Sequence, residues 1–222
     1  SGVLASYIAM NKEISKKIFI KNKINTPKFI KYIFTKNGFI DKKILNLVKK
    51  KLKFPSVIKP INEGSSVDVY ICDEKNFFLN LRKLSSYREI LIEEFIPGRE
   101  IQVAILGKKK LGAIELVPKR KFYDYEAKYN SKAKTKHIIP VKLSKKDFNK
   151  VTSIALQAHK IIGCRGVTRS DFKFYNGKFY LLELNTQPGM TSLSLVPEIA
   201  LYSGMNFISL IEWIINDASL NR

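Results

Sequence analysis

Along the 222-residue chain the apolar positions switch between two spacings, one of about three to four residues and one of two, which mark helices and half-buried strands. Lys12 to Ile24 carries the helical spacing, with Asn11 placed to cap its first turn. Phe29–Phe34 alternates as a strand. Asp41–Leu52 is an amphipathic helix whose leading carboxylate suits the positive end of the helix dipole. Strands are predicted at Ser56–Lys59, Val67–Cys72 and Glu89–Phe95, and a helix at Glu74–Leu84. Pro97-Gly98 interrupts the pattern and divides the chain into a first unit, residues 1–96, and a second, residues 97–222. The second unit reads as a hairpin (Glu100–Leu106 with Leu111–Val117), a helix (Phe148–Ile162), a hairpin over residues 167–185 and a helix (Phe207–Asn216). Both units mix helices with strands, so the expected class is α+β. The polar stretch 119–140 has no apolar period. Its length and its aromatics Phe122, Tyr123, Tyr125 and Tyr129 point to a lid. The opening Gly2–Met10 is apolar but short and lacks a basic leader, so it reads as a buried element rather than a signal peptide.

The hairpin over residues 167–185 carries the most chemistry. Asn176-Gly177 separates two aromatic-rich alternating runs, a strong hairpin signal. Two registers are open. With a two-residue loop, Tyr175 faces Lys178 and the carboxylates of Asp171 and Glu183 fall on opposite faces. With a three-residue loop bulged at Gly177, Phe174 pairs with Lys178, Asp171 sits opposite Leu181, and Arg169 sits opposite Glu183. All three polar side chains then share a face with Asn185. That second register supplies three oxygen ligands for a hard divalent cation beside a guanidinium, which suits a polyphosphate. An ordinary solvated hairpin face is the competing reading. The break at Pro188-Gly189 after Glu183-Leu184-Asn185 favours a site at a strand end.

Charge changes the picture less than its size suggests. The chain has 40 basic and 19 acidic residues, net +21. The excess is lysine, scattered through helices and loops, whereas base readers and single-strand binders favour arginine and aromatic platforms. A solvated lysine surface with loose affinity for polyanions is expected, and no specific nucleic-acid partner. No run of apolar residues is long enough to span a membrane as a helix. Cys72 and Cys164 stand far apart, which excludes a disulfide framework and a zinc site and suits a reducing cytoplasm. His159 lies in a helical pattern and reads as structural. No Ser/His/Asp or Cys/His set is present, so hydrolase chemistry of that kind drops out.

Gly64-Ser65-Ser66, between two predicted strands, can offer N–H groups and the Ser65 and Ser66 hydroxyls to phosphate oxygens, with Lys59 at the end of the preceding strand. It is no Walker loop, because Gly-Lys-Ser/Thr is missing. Lys128 in the lid could close over a transferred phosphoryl group. Several segments together resemble the D-alanine–D-alanine ligases, which are ATP-grasp carboxylate–amine ligases. These are Gly2–Lys17, Ile58–Val67, Leu91–Leu106, Phe122–Tyr129, Gly163–Phe172 and Phe179–Leu195. They run the length of the chain in order, and FYDYEAKY and LNTQPGMTSLSL are the most specific.

The resemblance implies an ATP-grasp fold, two α+β subdomains clamping ATP, with the N-terminal Rossmann-like domain of the family absent. It implies ligation of two D-alanines through an acyl phosphate, for peptidoglycan precursor synthesis in the cytoplasm. Lys12 and Lys59 would contact ATP phosphates, Glu93 and the Ile96 backbone the adenine, and Glu100 the ribose. Asp171, Glu183 and Asn185 would hold two Mg²⁺ ions, or Mn²⁺. Arg169 and the Gly189 N–H would stabilise an oxyanion, Ser194 and Leu195 would receive the second D-alanine's carboxylate, and Lys128 and Tyr129 would close the lid, Tyr129 reaching Ser65. Tyr129 itself favours the dipeptide over a depsipeptide. A homodimer is the family's common assembly. Two departures stand out: Glu94 where relatives have Lys, and Asp68 where Gly is usual, which sets a carboxylate near the phosphate loop. Without the family's first domain, the chain is expected to bind Mg·ATP but to make little dipeptide. The alternatives are another ATP-grasp amino-acid ligase and a non-enzymatic basic module that binds polyanions.

Overall fold

The computed structural model describes residues 1–35, 40–118, 135–191 and 194–220. The lid residues Lys128 and Tyr129, and the reach of Tyr129 to Ser65, therefore lie outside the described residues. Two antiparallel sheets carry the chain. The first contains β1 (Phe29–Ile33), β2 (Ser56–Pro60), β3 (Tyr70–Cys72) and β4 (Glu89–Glu94) in the order β1-β4-β2-β3. Helices α3 (Lys43–Lys51) and α4 (Phe77–Lys83) pack on it through Ile44, Val48, Phe77 and Leu81, over Ile58, Ile90 and Ile92. Burying each such side chain contributes about 1.5–3 kcal/mol. The Asp41 carboxylate accepts from the Lys43 N–H at 2.8 Å, so the sequence-predicted acid does hold the entry to α3.

The second sheet has the order β7-β6-β5-β8-β9, built from β5 (Arg99–Leu106), β6 (Lys109–Val117), β7 (Lys136–Ile138), β8 (Val167–Tyr175) and β9 (Lys178–Asn185). One face packs on α5 (Lys145–Ile161) through Ile101, Val103, Phe172, Phe179, Leu181 and Leu184. On the other face, α6 (Leu195–Tyr202) and α7 (Phe207–Asp217) cover Ala104, Leu106, Ile114 and Leu116. Strand β7 lies at the end of the stretch expected to form a lid, and α6 begins at Leu195, one of the residues expected to receive the second D-alanine's carboxylate.

Two expectations need correcting here. The amino-terminal helices α1 (Val3–Met10) and α2 (Lys12–Lys21) share a core with the second sheet, through Ala5, Ala9 and Phe19. The linear cut at residue 96/97 thus does not divide the buried side chains. Helix α1 is also not a buried element: Val3 is 90% and Leu4 70% exposed, and only Ala5 and Ala9 are buried. Asn11 does cap α2, its Oδ1 accepting from the Ile14 N–H at 3.0 Å. Among the described residues, no single helix is long and apolar enough to cross a membrane.

His159 sits in the α5 core with its Nδ1 2.8 Å from Thr168 Oγ1. Burial pushes its pKa down to about 4. The unfolded chain titrates near 6.5, so between these values the unfolded state binds more protons, and stability falls as pH drops through the window. Urea unfolding at pH 7 and pH 4.5 is expected to show a loss attributable to His159 of about 2 kcal/mol. His159→Gln should flatten that part of the dependence, and an unchanged slope would show that the imidazole titrates alike in the folded and unfolded states.

Candidate active site

A cleft of about 850 Å³ of empty space lies between the two sheets. Its first wall is the face of the first sheet opposite the α3–α4 core, where Val57 and Glu93 stand directly across from each other. Lys59, Phe95 and Ile96 line it beside them. Its second wall is the polar part of the second sheet, Glu100, Asp171, Lys173, Leu182 and Glu183. Gly64, Ser66 and Val67 form the rim, and Lys12 lies at the junction. A second hollow shares Lys12, Glu63, Gly64 and Glu183 with the first and extends past Asn185, Thr186 and Gln187 to Ser6 and Met10 of α1.

The 167–185 hairpin takes the turn of the first expected register without its consequence for the carboxylates. The turn is a two-residue loop, with Tyr175 opposite Lys178 and both Asn176 (φ 47°) and Gly177 (φ 70°) in the left-handed region that such turns require. The bulge predicted at Gly177 is instead in the strand. Phe172 pairs with Leu181, and Asp171 pairs with Glu183, so Leu182 is the extra residue. Asp171 is therefore opposite Glu183 rather than Leu181, and Arg169 opposite Asn185 rather than Glu183. The physical reason is the core. Phe179, Leu181 and Leu184 all enter one apolar cluster, and a spacing of two followed by three fits one face only with an inserted residue. The outcome expected of the shared face, carboxylates together on the cleft side, is reached by this route.

The Arg169 guanidinium donates to both Asp171 oxygens, at 2.8 and 3.0 Å. The Asn185 amide donates to the Arg169 carbonyl at 3.5 Å. Two carboxylates and an amide along one strand pair are hard oxygen donors of the type that Mg²⁺ or Mn²⁺ takes. Among the described residues no group of three or more His, Cys, Asp or Glu side chains gathers as a metal cluster, so the third donor would have to be the Asn185 amide. Glu100 is engaged by Lys173 at 3.1 Å.

Opposite lies a buried charge network of Lys12, Lys16, Lys59 and Glu93, of which only Lys16 was missed from the sequence. The Glu93 carboxylate is wholly buried, 3.1 Å from Lys16 Nζ and 2.8 Å from Lys59 Nζ. Burial alone would push its pKa up, but the two ammonium groups outweigh that and hold it below the ordinary carboxylate value. Lys16 is fully buried and also donates to Thr26 Oγ1 at 2.6 Å. Burial pulls its pKa down to about 8 against the pull of Glu93. Lys12 is buried as well, and its pKa is lowered by burial, partly offset by Glu183 at 4.0 Å. Its Nζ donates to the Glu63 carbonyl, which ties it to the Gly-Ser-Ser loop.

A family model described as D-ala D-ala ligase C-terminus matches residues 18–216. The chain belongs to the D-alanine–D-alanine ligase family. It is 72% identical to the D-alanine–D-alanine ligase of Pelagibacter ubique, over all of this chain and 72% of that protein. It is 43% identical to the enzyme of the same name from Wolbachia pipientis wMel, over 98% of this chain and 68% of that protein. Among solved structures, the D-alanine–D-alanine ligase of Bacillus anthracis superposes with a TM-score of 0.84 at 34% identity, over 98% of this chain and 69% of that one. Its complex with ATP gives 0.81 at 29%, over 98% and 68%.

Against that family background, the cleft brings together Lys12, Lys59, Ser66, Glu93, Ile96, Glu100, Asp171 and Glu183. Gly189 and Ser194 lie beyond it and close to each other: a Cβ on Gly189 would come within 2.8 Å of Ser194 Oγ, so a larger residue there would require the serine side chain to turn away. Ser194 Oγ accepts from the Thr191 N–H at 2.9 Å. Leu195 is buried in the α6 core, so it can offer a ligand its backbone but not its side chain. Asp68 lies beside the phosphate loop as its position suggested; its carboxylate binds Tyr70 and Tyr87 and does not line the cleft.

Lys16→Met leaves Thr26 without its partner and Glu93 with one cation in place of two. A loss of about 3 kcal/mol in urea unfolding is expected, as for other broken buried pairs. Adding Glu93→Gln should return part of it, because the uncompensated charge goes; a single variant as stable as wild type would show that the pair contributes nothing.

Proposed function

We propose that this chain joins two D-alanines into D-alanyl-D-alanine at the expense of ATP, through an acyl phosphate, with divalent cations bound at Asp171, Glu183 and Asn185. The observation that carries the reading is the meeting of Lys12 and Lys59 with Asp171 and Glu183 in one cleft, in a chain 72% identical to a D-alanine–D-alanine ligase.

ATP lies between the sheets. Glu93 accepts from the adenine amine with lone pairs that its two lysines leave over, since a carboxylate has about four acceptor sites. The Ile96 backbone completes the adenine edge, and Glu100 holds the ribose hydroxyls. Lys12, Lys59 and the loop at Ser65 and Ser66 take the phosphates. The divalent cations, Mg²⁺ or Mn²⁺, would neutralise charge on the phosphates and keep the γ-phosphoryl group electrophilic.

A carboxylate oxygen of the first D-alanine attacks the γ-phosphorus, the bond to the bridging oxygen breaks, and ADP departs. The amine of the second D-alanine then attacks the acyl carbon. The carbon–oxygen bond to phosphate breaks, inorganic phosphate carries off the electron pair, and the amine loses a proton. Arg169 and the Gly189 N–H stabilise the oxyanion of the tetrahedral intermediate. The second substrate's carboxylate is received by Ser194 and by the Leu195 backbone. Lys128 and Tyr129 exclude water, which would otherwise hydrolyse the acyl phosphate.

Phosphate release coupled one-to-one to D-alanyl-D-alanine, with D-alanine and not with L-alanine, is the expected result even if turnover is slow. ATP hydrolysis indifferent to D-alanine would refute the ligase reading. Asp171→Asn and Glu183→Gln each remove one of the two carboxylates that the bulge at Leu182 sets across from each other. Either variant should lose the Mg²⁺-dependent part of the thermal stabilisation by ATP, and retention of it in both would exclude this strand pair as the cation site.

A further inference from the structure

The loop carrying Gly64-Ser65-Ser66 holds three non-glycine residues in the left-handed backbone region, Ser65 (φ 51°), Ser66 (φ 60°) and Asp68 (φ 53°). Residues with a Cβ resist that region, and Asp tolerates it best because its short side chain can hydrogen-bond nearby. Such a bend persists only where surrounding contacts hold it. Gly64, Ser66, Val67 and Val69 line the cleft, and Asp68 does not. Its carboxylate accepts from the Tyr70 phenol at 2.9 Å and from the Tyr87 phenol at 2.7 Å. Both tyrosines pack against the core of the first sheet. Tyr70 lies on β3 with the Lys83 ammonium 5.0 Å from its ring centroid, and Tyr87 leads into β4. The carboxylate thus fastens the far side of the loop to the sheet while the near side faces the cleft.

We propose that Asp68, gripped by Tyr70 and Tyr87, is a positioning residue for the nucleotide phosphates: it fixes the left-handed turn that presents the loop to the cleft. A loop already held in its binding shape loses less freedom when the ligand arrives. The hydrogen bond to Asp68 holds the Tyr87 phenol protonated, its pKa pushed up to about 12, so the donor persists across the neutral range.

The inference rests on the nucleotide reading of the cleft, and the test separates the two. Calorimetry gives Kd for Mg·ATP and for adenosine with the wild-type chain, Asp68→Gly and Tyr87→Phe. Asp68→Gly relieves the backbone strain while removing the grip. It should weaken Mg·ATP about tenfold, or about 1.4 kcal/mol, and leave adenosine unchanged. Tyr87→Phe, a milder change because the Tyr70 hydrogen bond remains, should weaken Mg·ATP about threefold. Wild-type Mg·ATP affinity in Asp68→Gly overturns the grip and leaves the nucleotide reading standing. Equal losses for both ligands overturn it too, because a phosphate-positioning role requires a difference. A wild-type chain that binds neither ligand overturns the nucleotide reading and the grip together.

Discussion

The buried Glu93 carboxylate between Lys16 and Lys59 is the constraint on which the cleft depends. Lys16 comes from α2, whose Phe19 is packed into the core of the second sheet, whereas Glu93 and Lys59 belong to the first. One charged cluster therefore fastens the two halves at the base of the cleft. Hydrophobic contacts between the halves would be indifferent to small slides; a carboxylate buried between two ammonium groups is not. Taking these charges out of water costs several kcal/mol per ion, and only close geometry recovers it. The network adds little net stability over an apolar filling, but it penalises any arrangement of the halves that separates Lys16 from Glu93.

The second sheet solves a different problem, since one of its faces must be both packed and wet. Helices α6 and α7 cover the apolar end of that face over Ala104, Leu106, Ile114 and Leu116. The remaining part carries Glu100, Asp171, Lys173 and Glu183 and stays open to the cleft. Strand β9 has to send Phe179, Leu181 and Leu184 the other way, into the α5 core. The extra residue Leu182 reconciles the two demands and also sets Glu183 across from Asp171. Packing and site geometry are thus fixed by a single inserted residue.

Much of this was legible in the residues. Local signals, such as the Asn11 cap, the acid at Asp41 and the Asn-Gly turn, depend on near neighbours and appear as expected. The spacing Phe179, Leu181, Leu184 already contained the bulge, but the turn residues drew attention to the wrong place. Lys16 was illegible because one lysine in a chain with 40 basic residues carries no mark of burial; only its distant partner Glu93, 77 positions on in the chain (93 − 16), reveals it. Asp68 was legible in its place but not in its partners. Its position near the phosphate loop is local information, whereas the direction of its carboxylate is set by Tyr70 and Tyr87.

The charges on the two walls also restrict what can fill the cleft. Lys12 and Lys59 on one side face Asp171 and Glu183 on the other, with Lys12 and Glu183 already 4.0 Å apart. A simple anion would suit the lysines and be repelled by the carboxylates; a simple cation would meet the reverse. A polyanion carrying divalent cations satisfies both walls at once, with phosphate oxygens toward the lysines and metal toward the carboxylates. The net charge of +21 raises the local concentration of such an anion without selecting it. Selection comes from the opposed walls, and those walls are held apart at a fixed spacing by the buried Lys16–Glu93–Lys59 cluster beneath them.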